Sequence, residues 1–329
     1  MKLIKTEDAV GHVLCHDMTQ IIKDQYKDAR FRKGHVVTEE DIPVLLSMGK
    51  EHLYVWEMTP GMVHENDAAE RLLALCGQEN MIRSGVKEGK IELKAACDGV
   101  FLVDSARLVA VNSQDEVMIA TRKSGMAVRE GDKLAGMRVI PLIIEEEKLR
   151  KAEQAAGDKP LLSLKPYVRK TACIVATGGE VKKGLIKDTF TPVVIDKLRT
   201  YGIETLEVVY SGDGVENVRD AVLTMREKKP DMILCTGGMS VDPDDNTPGG
   251  IKAAGADIIA YGAPVLPGAM FLLGYFDDGM PVMGLPGCVM YAGATVFDLV
   301  LPKIAADVPV TRADLAALGE GGLCLGCKP

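Results

Sequence analysis

The sequence predicts an α/β chain. Residues 168–310 should form an open parallel sheet with helices on both faces, preceded by a small α+β unit and a β-rich barrel or sandwich module. Three observations lead there. From residue 171 to about 300, short apolar runs alternate with amphipathic stretches, the pattern of strands joined by crossover helices. Several of those runs end directly in glycine turns, Thr177-Gly178-Gly179 and Thr236-Gly237-Gly238 among them. Between residues 81 and 144, six short β-rich runs are broken by glycine, the spacing of a compact barrel or sandwich. The expected division is 1–64, 65–157, 168–310 and a C-terminal tail, 311–329.

At 329 residues, the chain has room for two or three domains. An apolar fraction of 47% and a charged fraction of 26% are those of an ordinary globular protein. A net charge of −8 without a long basic cluster argues against general nucleic-acid binding. No run approaches the roughly 20 apolar residues of a membrane span, and the first residues lack a signal-peptide core. The expectation is a cytoplasmic protein that binds neither nucleic acid nor membrane. Of the eight cysteines, Cys76, Cys97, Cys173 and Cys235 sit in apolar runs and read as buried reduced thiols. Cys324 and Cys327 have C-x-x-C spacing, that of half a metal site or a redox pair, but the tail offers no second pair and no histidine to complete it.

In chain order, residues 10–22 read as strand with turns, and 38–49 as a helix with Thr38 as its N-cap and Gly49 at its end. Residues 52–56 read as a strand. All five histidines precede residue 65, at no metal-binding spacing. His35 with Arg30, Arg32 and Lys33 reads as a solvated face, with a small anion-attracting patch as the alternative. Residues 65–75 place Ala68, Ala69, Leu72 and Leu73 on one helical face. The β-rich runs that follow are 90–96, 100–103, 108–111, 117–121, 127–128 and 139–144. Residues 145–156 alternate charge and read as a solvated linker helix ending at Gly157.

The third unit opens with a strand at 171–176 and a helix from Thr191-Pro192 with Val194, Leu198 and Tyr201 on one face. A strand at 204–210, a helix at 216–228 and the apolar run that ends at Cys235 come next. Residues 270–274 and 281–284 pair as a hairpin across Asp277-Asp278-Gly279, and 290–300 form a closing helix before Pro302.

Chemistry concentrates at the turns. Adjacent glycines let the backbone approach a ligand, and Thr236, Ser240 and the free N–H groups of the turn suit phosphate or carboxylate oxygens. Asp242, Asp244 and Asp245 follow closely, with carboxylates that can hold Mg²⁺ or orient an oxyanion. In an open parallel sheet, ligands sit beyond the carboxyl ends of the strands. Thr177-Gly178-Gly179-Glu180, Asp213, Thr236-Gly237-Gly238 and the 284–287 turn all follow predicted strands, so one shared pocket is expected. Each glycine turn taken singly is equally well explained as structural.

Thr236-Gly237-Gly238 followed by Asp245-Asn246-Thr247-Pro248 resembles the ligand loop of the molybdopterin-binding domain shared by molybdopterin adenylyltransferases and molybdopterin molybdenumtransferases. Thr177-Gly178-Gly179-Glu180, Pro267-Gly268 and Gly284-Leu285-Pro286-Gly287 match in order, and the resemblance spans about 171–304. A weaker likeness to molybdenumtransferases lies in residues 31–35 and 41–49, here more than a hundred residues ahead of the domain. The resemblance implies that molybdopterin binds with its phosphate against the turn at 236–238 and the helix start at Gly287. It assigns catalytic or acidic roles to Glu180, Asp213 and Asp245, metal binding to Asp213 and Asp245, and ligand contacts to Thr177, Gly178, Gly179, Asp188, Thr236, Gly237, Gly238, Ser240, Pro267, Gly268, Pro286 and Gly287. Asp188 reads equally well as a helix cap.

Two departures stand out. Leu266, Ala269 and Met270 stand around Pro267-Gly268, where molybdenumtransferases carry lysines and a second proline, and Cys288 replaces the asparagine after Leu-Pro-Gly. The resemblance implies a homo-oligomeric transferase of molybdenum-cofactor biosynthesis. It would insert molybdate into adenylylated molybdopterin with release of AMP, with Mg²⁺ as cofactor. The alternatives are a non-catalytic carrier or regulator of the pterin, serving a molybdoenzyme or another maturation protein, and the adenylyltransferase step.

Overall fold

The computed structural model describes residues 2–22, 26–56, 60–240, 242 and 245–325. The chain divides into two compact units. The first takes 1–97, 101–124 and 129–164, and the second 98–100, 125–128 and 165–329.

In the first unit, Lys2–Lys5, His52–Trp56 and Val13–Leu14 form an antiparallel sheet with His52–Trp56 in the middle. Its Leu53 and Val55 alternate with exposed neighbours and meet Leu14, Phe31 and Leu45 in a small core. The helix expected at 38–49 spans Asp41–Ser47, and its cap differs from expectation. The carboxylate of Asp41 accepts the Thr38 N–H and hydroxyl (both 2.8 Å), so Thr38 donates to the cap instead of forming it. The helix Glu65–Cys76 buries Ala68, Ala69, Leu72, Leu73 and Cys76 at helical spacing. A four-stranded antiparallel sheet follows, in the order Val117–Thr121, Lys133–Val139, Ile91–Ala95, Met81–Arg83.

Two expectations fail in this unit. The run at 108–111 lies in a helix, Ser105–Asn112, because Asp104 caps it by accepting the Arg107 N–H (3.1 Å), and only Val111 need be buried. The supposed linker helix, Glu146–Ala156, buries Leu149, Ala152 and Ala156, and its Glu153 forms a bidentate pair with Arg71 of the helix Glu65–Cys76 (2.7 and 2.9 Å). It is a packed element of the unit.

The second unit carries a six-stranded sheet. Its elements are β1 (Thr171–Thr177), α1 (Gly179–Lys182), α2 (Phe190–Arg199), β2 (Glu204–Ser211), α3 (Val215–Glu227), β3 (Met232–Thr236), α4 (Thr247–Ala253), β4 (Asp257–Tyr261), β5 (Leu272–Tyr275), β6 (Pro281–Leu285), α5 (Val296–Ala305) and α6 (Arg312–Ala317). The strand order is β2-β1-β3-β6-β5-β4; β2, β1, β3 and β6 are parallel, while β5 runs antiparallel to both neighbours. Strands β1 and β3 are apolar throughout because both sheet faces are covered. Ala172, Ile174, Met232 and Leu234 pack on the side of α2 and α5, and Cys173, Val175, Ile233 and Cys235 on the side of α3 and α4. Burial pushes the Cys235 thiol up to about 12, which keeps it protonated and inert.

The closing helix differs from expectation. Residues 287–290 form a 3₁₀ turn, and α5 begins only at Val296, where Thr295 and Asp298 make a reciprocal capping box. Pro302 lies inside α5 instead of ending it. Within 311–325, α6 sets Leu315 into the core, and the Leu266 N–H donates to the Gly322 carbonyl (2.9 Å).

Candidate functional site at the carboxyl edge of the sheet

Backbone register puts the predicted turns on one edge. Thr177 pairs with Ser211 and Ala176 with Thr236 across the parallel ladders, and Thr236 pairs with Leu285. On the other flank, Tyr261 pairs with Leu272 and Leu272 with Gly284, so the loop carrying Pro267 and Gly268 emerges at the same edge. The loops after β1, β2, β3, β4 and β6 therefore leave the sheet together.

Side chains tie these loops to one another. Thr177, 8% exposed, donates its hydroxyl to the Thr236 carbonyl (2.9 Å). Thr247, 1% exposed, donates to the Gly237 carbonyl (2.9 Å), and its own N–H reaches the Gly238 carbonyl (3.2 Å). Each hydroxyl has a single proton, and both are committed, so the 3.1 Å approach of the two oxygens adds packing. The Asp213 carboxylate accepts the Gly179 N–H (2.9 Å) and joins the β2 loop to the β1 loop. Tyr261 donates to the carbonyls of Met239 (2.9 Å) and Ser240 (3.2 Å), and the Thr189 hydroxyl contacts the Met290 sulfur at 3.1 Å. A Cβ on Gly268 would lie 3.0 Å from the Val296 nitrogen, so its loop abuts the start of α5.

The Gly237-Gly238 turn has a structural cause that sequence alone did not show. Both residues have positive φ, 82° and 54°, and a Cβ on Gly237 would lie 2.4 Å from the Thr177 carbonyl oxygen. The β1 loop packs onto this turn so closely that only glycine fits. Among the described residues, the N–H groups of Gly237 and Gly238 meet no protein acceptor, and both residues are half-buried at the edge. They are two adjacent donors of the kind that suits an anion.

The other predicted residues are placed differently from one another. Thr177 and Thr236 are buried, and the Thr177 hydroxyl bonded to the Thr236 carbonyl braces their two loops. Glu180 and Ser240 are exposed at the edge. Asp245 accepts the Asp242 N–H (3.3 Å) within its own loop, while Asp244 and Cys327 lie outside the described residues. Asp188 caps α2 through the N–H groups of Phe190 (2.9 Å) and Thr191 (3.0 Å). Burial raises its carboxyl, but hydrogen bonds from Thr191, Phe190 and Tyr210 outweigh that and hold it below the usual carboxylate range. Pro286 and Gly287 lead into the four-residue 3₁₀ turn, too short to supply the helix dipole expected there.

Two further features were not singled out in the sequence: the role of Thr247, named there only as part of the loop motif, as the hub of the loop contacts, and Lys182, whose Cδ lies 3.9 Å from a Cβ built on Gly212. A threonine before proline and a lysine in a short polar turn give no periodic signal. For Mg²⁺ the fit is poor. Among the described residues no three His, Cys, Asp or Glu side chains gather as a metal site, and Asp213 and Asp245 each spend an oxygen on a backbone N–H. A cavity of about 600 Å³ lined by Ile195, Arg199 and Leu206 runs along β2 and touches none of these loops.

Fold and edge together define an α/β domain whose strand-end loops converge on one edge, the place where open parallel sheets carry ligands. Residues 173–306 match the family model described as a probable molybdopterin binding domain. Residues 3–57 match a model described only as a domain of unknown function. A CinA-like protein of Mycobacterium tuberculosis is 33% identical over 76 residues, 23% of this chain and 18% of that protein, and one of Mycobacterium marinum is 32% identical over the same length. The match thus spans less than a fifth of the length of these relatives. Among solved structures, the protein CinA with unknown function from Thermoplasma acidophilum is similar at 18% identity and TM-score 0.35, over 41% of this chain and 98% of that one. The molybdopterin biosynthesis enzyme MoaB from Thermus thermophilus gives 16% identity and TM-score 0.37, over 44% and 97%. A molybdenum cofactor biosynthesis protein from Pyrococcus furiosus gives 13% and 0.28, over 96% and 64%. No helix among the described residues is long and apolar enough to cross a membrane.

Proposed function

We propose that the second unit binds adenylylated molybdopterin at the carboxyl edge of its sheet and inserts molybdate with release of AMP, a step of molybdenum-cofactor biosynthesis. The observation that carries this reading is the convergence, in one family domain, of the loops after β1, β2, β3 and β6 on a single edge. The N–H groups of Gly237 and Gly238 hold a phosphate of the pterin. Asp213 acts by fixing Gly179, and Glu180 and Asp245 supply the acidic face that orients the reacting groups. No step is assigned to Mg²⁺, because the described carboxylates do not gather around one point. Purified protein given adenylylated molybdopterin, molybdate and Mg²⁺ should release AMP. Binding of the pterin without AMP release would reject the insertion step.

A second reading, a pterin-binding carrier or regulator serving a molybdoenzyme or maturation partner, is favoured by one observation. Leu266, Ala269 and Met270 leave the Pro267 loop without a cation. It predicts tight pterin binding with no turnover. ATP consumption with molybdopterin alone would instead indicate adenylyl transfer. We further propose a cytoplasmic homo-oligomer, with the divisions 1–64, 65–157, 168–310 and 311–329 as its functional parts; analytical ultracentrifugation and limited proteolysis test these.

A further inference from the structure

Arg32 and Lys33, two members of the basic stretch near residue 35, line a cavity of about 410 Å³ in the first unit, with Arg138, Asp17, Glu65 and Glu88 around it. Glu65 is 6% exposed and opens the helix Glu65–Cys76. Two glycines make room for its carboxyl group. A Cβ on Gly89 would lie 2.6 Å from the Glu65 Cδ, and one on Gly34 would lie 3.0 Å from its Oε1. The nearest cation, Arg138, stands 3.7 Å from Glu65 Oε2, too far for a good hydrogen bond.

The other carboxylates are already engaged. Asp17 accepts the Lys33 N–H (2.7 Å), and Glu88 faces Arg32 at 3.7 Å. No metal cluster exists here among the described residues, and the Lys33 ammonium has no ion pair among them. Arg32 holds only the long contact to Glu88, while Arg138 faces Glu65 at long range and spends its Nε on the Val139 carbonyl (3.0 Å), which leaves its terminal nitrogens for a ligand. The cavity therefore presents three cations whose donors are largely unspent, beside a carboxylate wedged in place.

We propose that this cavity binds a tetrahedral oxyanion, free or as the phosphate of a small metabolite, between Arg32, Lys33 and Arg138, with Glu65 as the resident carboxylate that competes for Arg138. Charge-assisted hydrogen bonds from two guanidinium groups and an ammonium are the chemistry that recognises such a group. Glu65 gives the site a pH dependence. Burial raises its carboxyl, opposed by His64, Arg138 and Lys33 and assisted by Glu88, which are the charged and titratable groups that face it. When Glu65 takes up a proton, Arg138 is released to the incoming anion, so affinity rises as pH falls.

Calorimetric titration of the full chain with sulfate, whose charge is constant across the range, tests this between about pH 5.5 and 8. Glu65→Gln preserves shape and should bind sulfate about tenfold tighter at pH 7.5, with the pH dependence gone; Arg138→Gln should weaken binding about tenfold. Circular dichroism verifies that both variants are folded. Both residues lie in the first unit, so sulfate binding at the second unit's sheet edge is untouched by either change. Inorganic phosphate compared with glycerol phosphate distinguishes a free anion from a phosphate ester. Superimposable isotherms for wild type and Arg138→Gln, weaker binding by Glu65→Gln, or no binding of any of the three probes at about 10 mM (about −2.7 kcal/mol) would overturn the proposal.

Discussion

Thr247→Val tests the claim that hydroxyls buried between loops hold the candidate site together. Valine keeps the shape of threonine and removes one O–H donor. Thr247 is 1% exposed, and its hydroxyl is the side-chain donor that reaches the Gly237 carbonyl. The substitution therefore leaves that carbonyl without its 2.9 Å partner and sets an apolar group against the Thr177 hydroxyl at 3.1 Å. Loss of one net hydrogen bond costs about 1 kcal/mol, and an unsatisfied carbonyl at a partly closed site raises the total to about 2–3 kcal/mol. Thr247→Ser keeps the donor and loses only a methyl group, at about 1 kcal/mol. Urea denaturation of both variants, followed by far-ultraviolet circular dichroism, measures the difference. Pterin binding should fall with the valine variant and persist with the serine variant, because the turn donors depend on where Gly237 is held. If serine proves the more destabilising change, methyl packing and not the hydroxyl holds these loops, and the account of the edge fails.

Gly237→Ala should destabilise the second unit by more than about 2 kcal/mol, because left-handed backbone strain adds to a contact of 2.4 Å with the Thr177 carbonyl; a stability change under about 0.5 kcal/mol by urea denaturation would show that the loops separate freely. Asp231 accepts the N–H groups of Lys170 (2.6 Å) and Thr171 (2.8 Å) and the Thr171 hydroxyl (2.9 Å), joining the starts of β1 and β3. Burial raises its carboxyl, but these bonds and Arg169 hold it below the usual carboxylate range, so its contribution is present above about pH 4 and is lost as pH falls through the lower folded value. Asp231→Asn should thus cost stability at pH 7 and little at pH 2.5, and equal losses at both would contradict the linkage. Thr295→Ala removes the capping box of α5 at a residue that is 0% exposed and should cost about 1–2 kcal/mol in the same denaturation assay. Its neighbour Asp298 should remain paired with Lys197.

The core of the second unit was legible because burial on two faces demands uninterrupted apolar strands, and 172–176 and 232–235 satisfy that demand with no competing helical period. The glycines at 178–179 and 237–238 were legible as turns, but their cause was not. Only the fold brings the Thr177 carbonyl against Gly237, across 60 residues of chain. Elsewhere local signals competed. The Leu108-Val109-Ala110-Val111 run is rich in strand formers, yet Asp104 caps a helix, and the cap prevails because only one face of that helix is buried. At the closing helix the apolar run from Val289 outweighed a quieter signal, Thr295 followed three residues later by Asp298, which is where α5 starts. The strand β4 carries only one buried residue in five, too little alternation to be noticed.

Charge at the sheet edge bears on how a ligand would lie there. The Pro267 loop lacks cations, but the segment after β1 carries Lys182, Lys183 and Lys187, all exposed and none in an ion pair among the described residues. That segment leaves the sheet at β1, two strand spacings from β6, or about 10 Å. A phosphorylated pterin drawn by these lysines and by the donors of Gly237 and Gly238 would keep its anionic end over β1 and β3. Its less charged portion would then lie toward β6 and the apolar Pro267 loop, where Leu266 is 58% exposed and Tyr291 is 77% exposed. An anion centred on β6 would have only the 3₁₀ turn at 287–290 to meet it, with no side-chain cation in that turn. Substituting Lys182 and Lys183 together by glutamine should therefore weaken pterin binding and flatten its salt dependence. Unchanged salt dependence would place the anionic end elsewhere and remove the reason for this orientation.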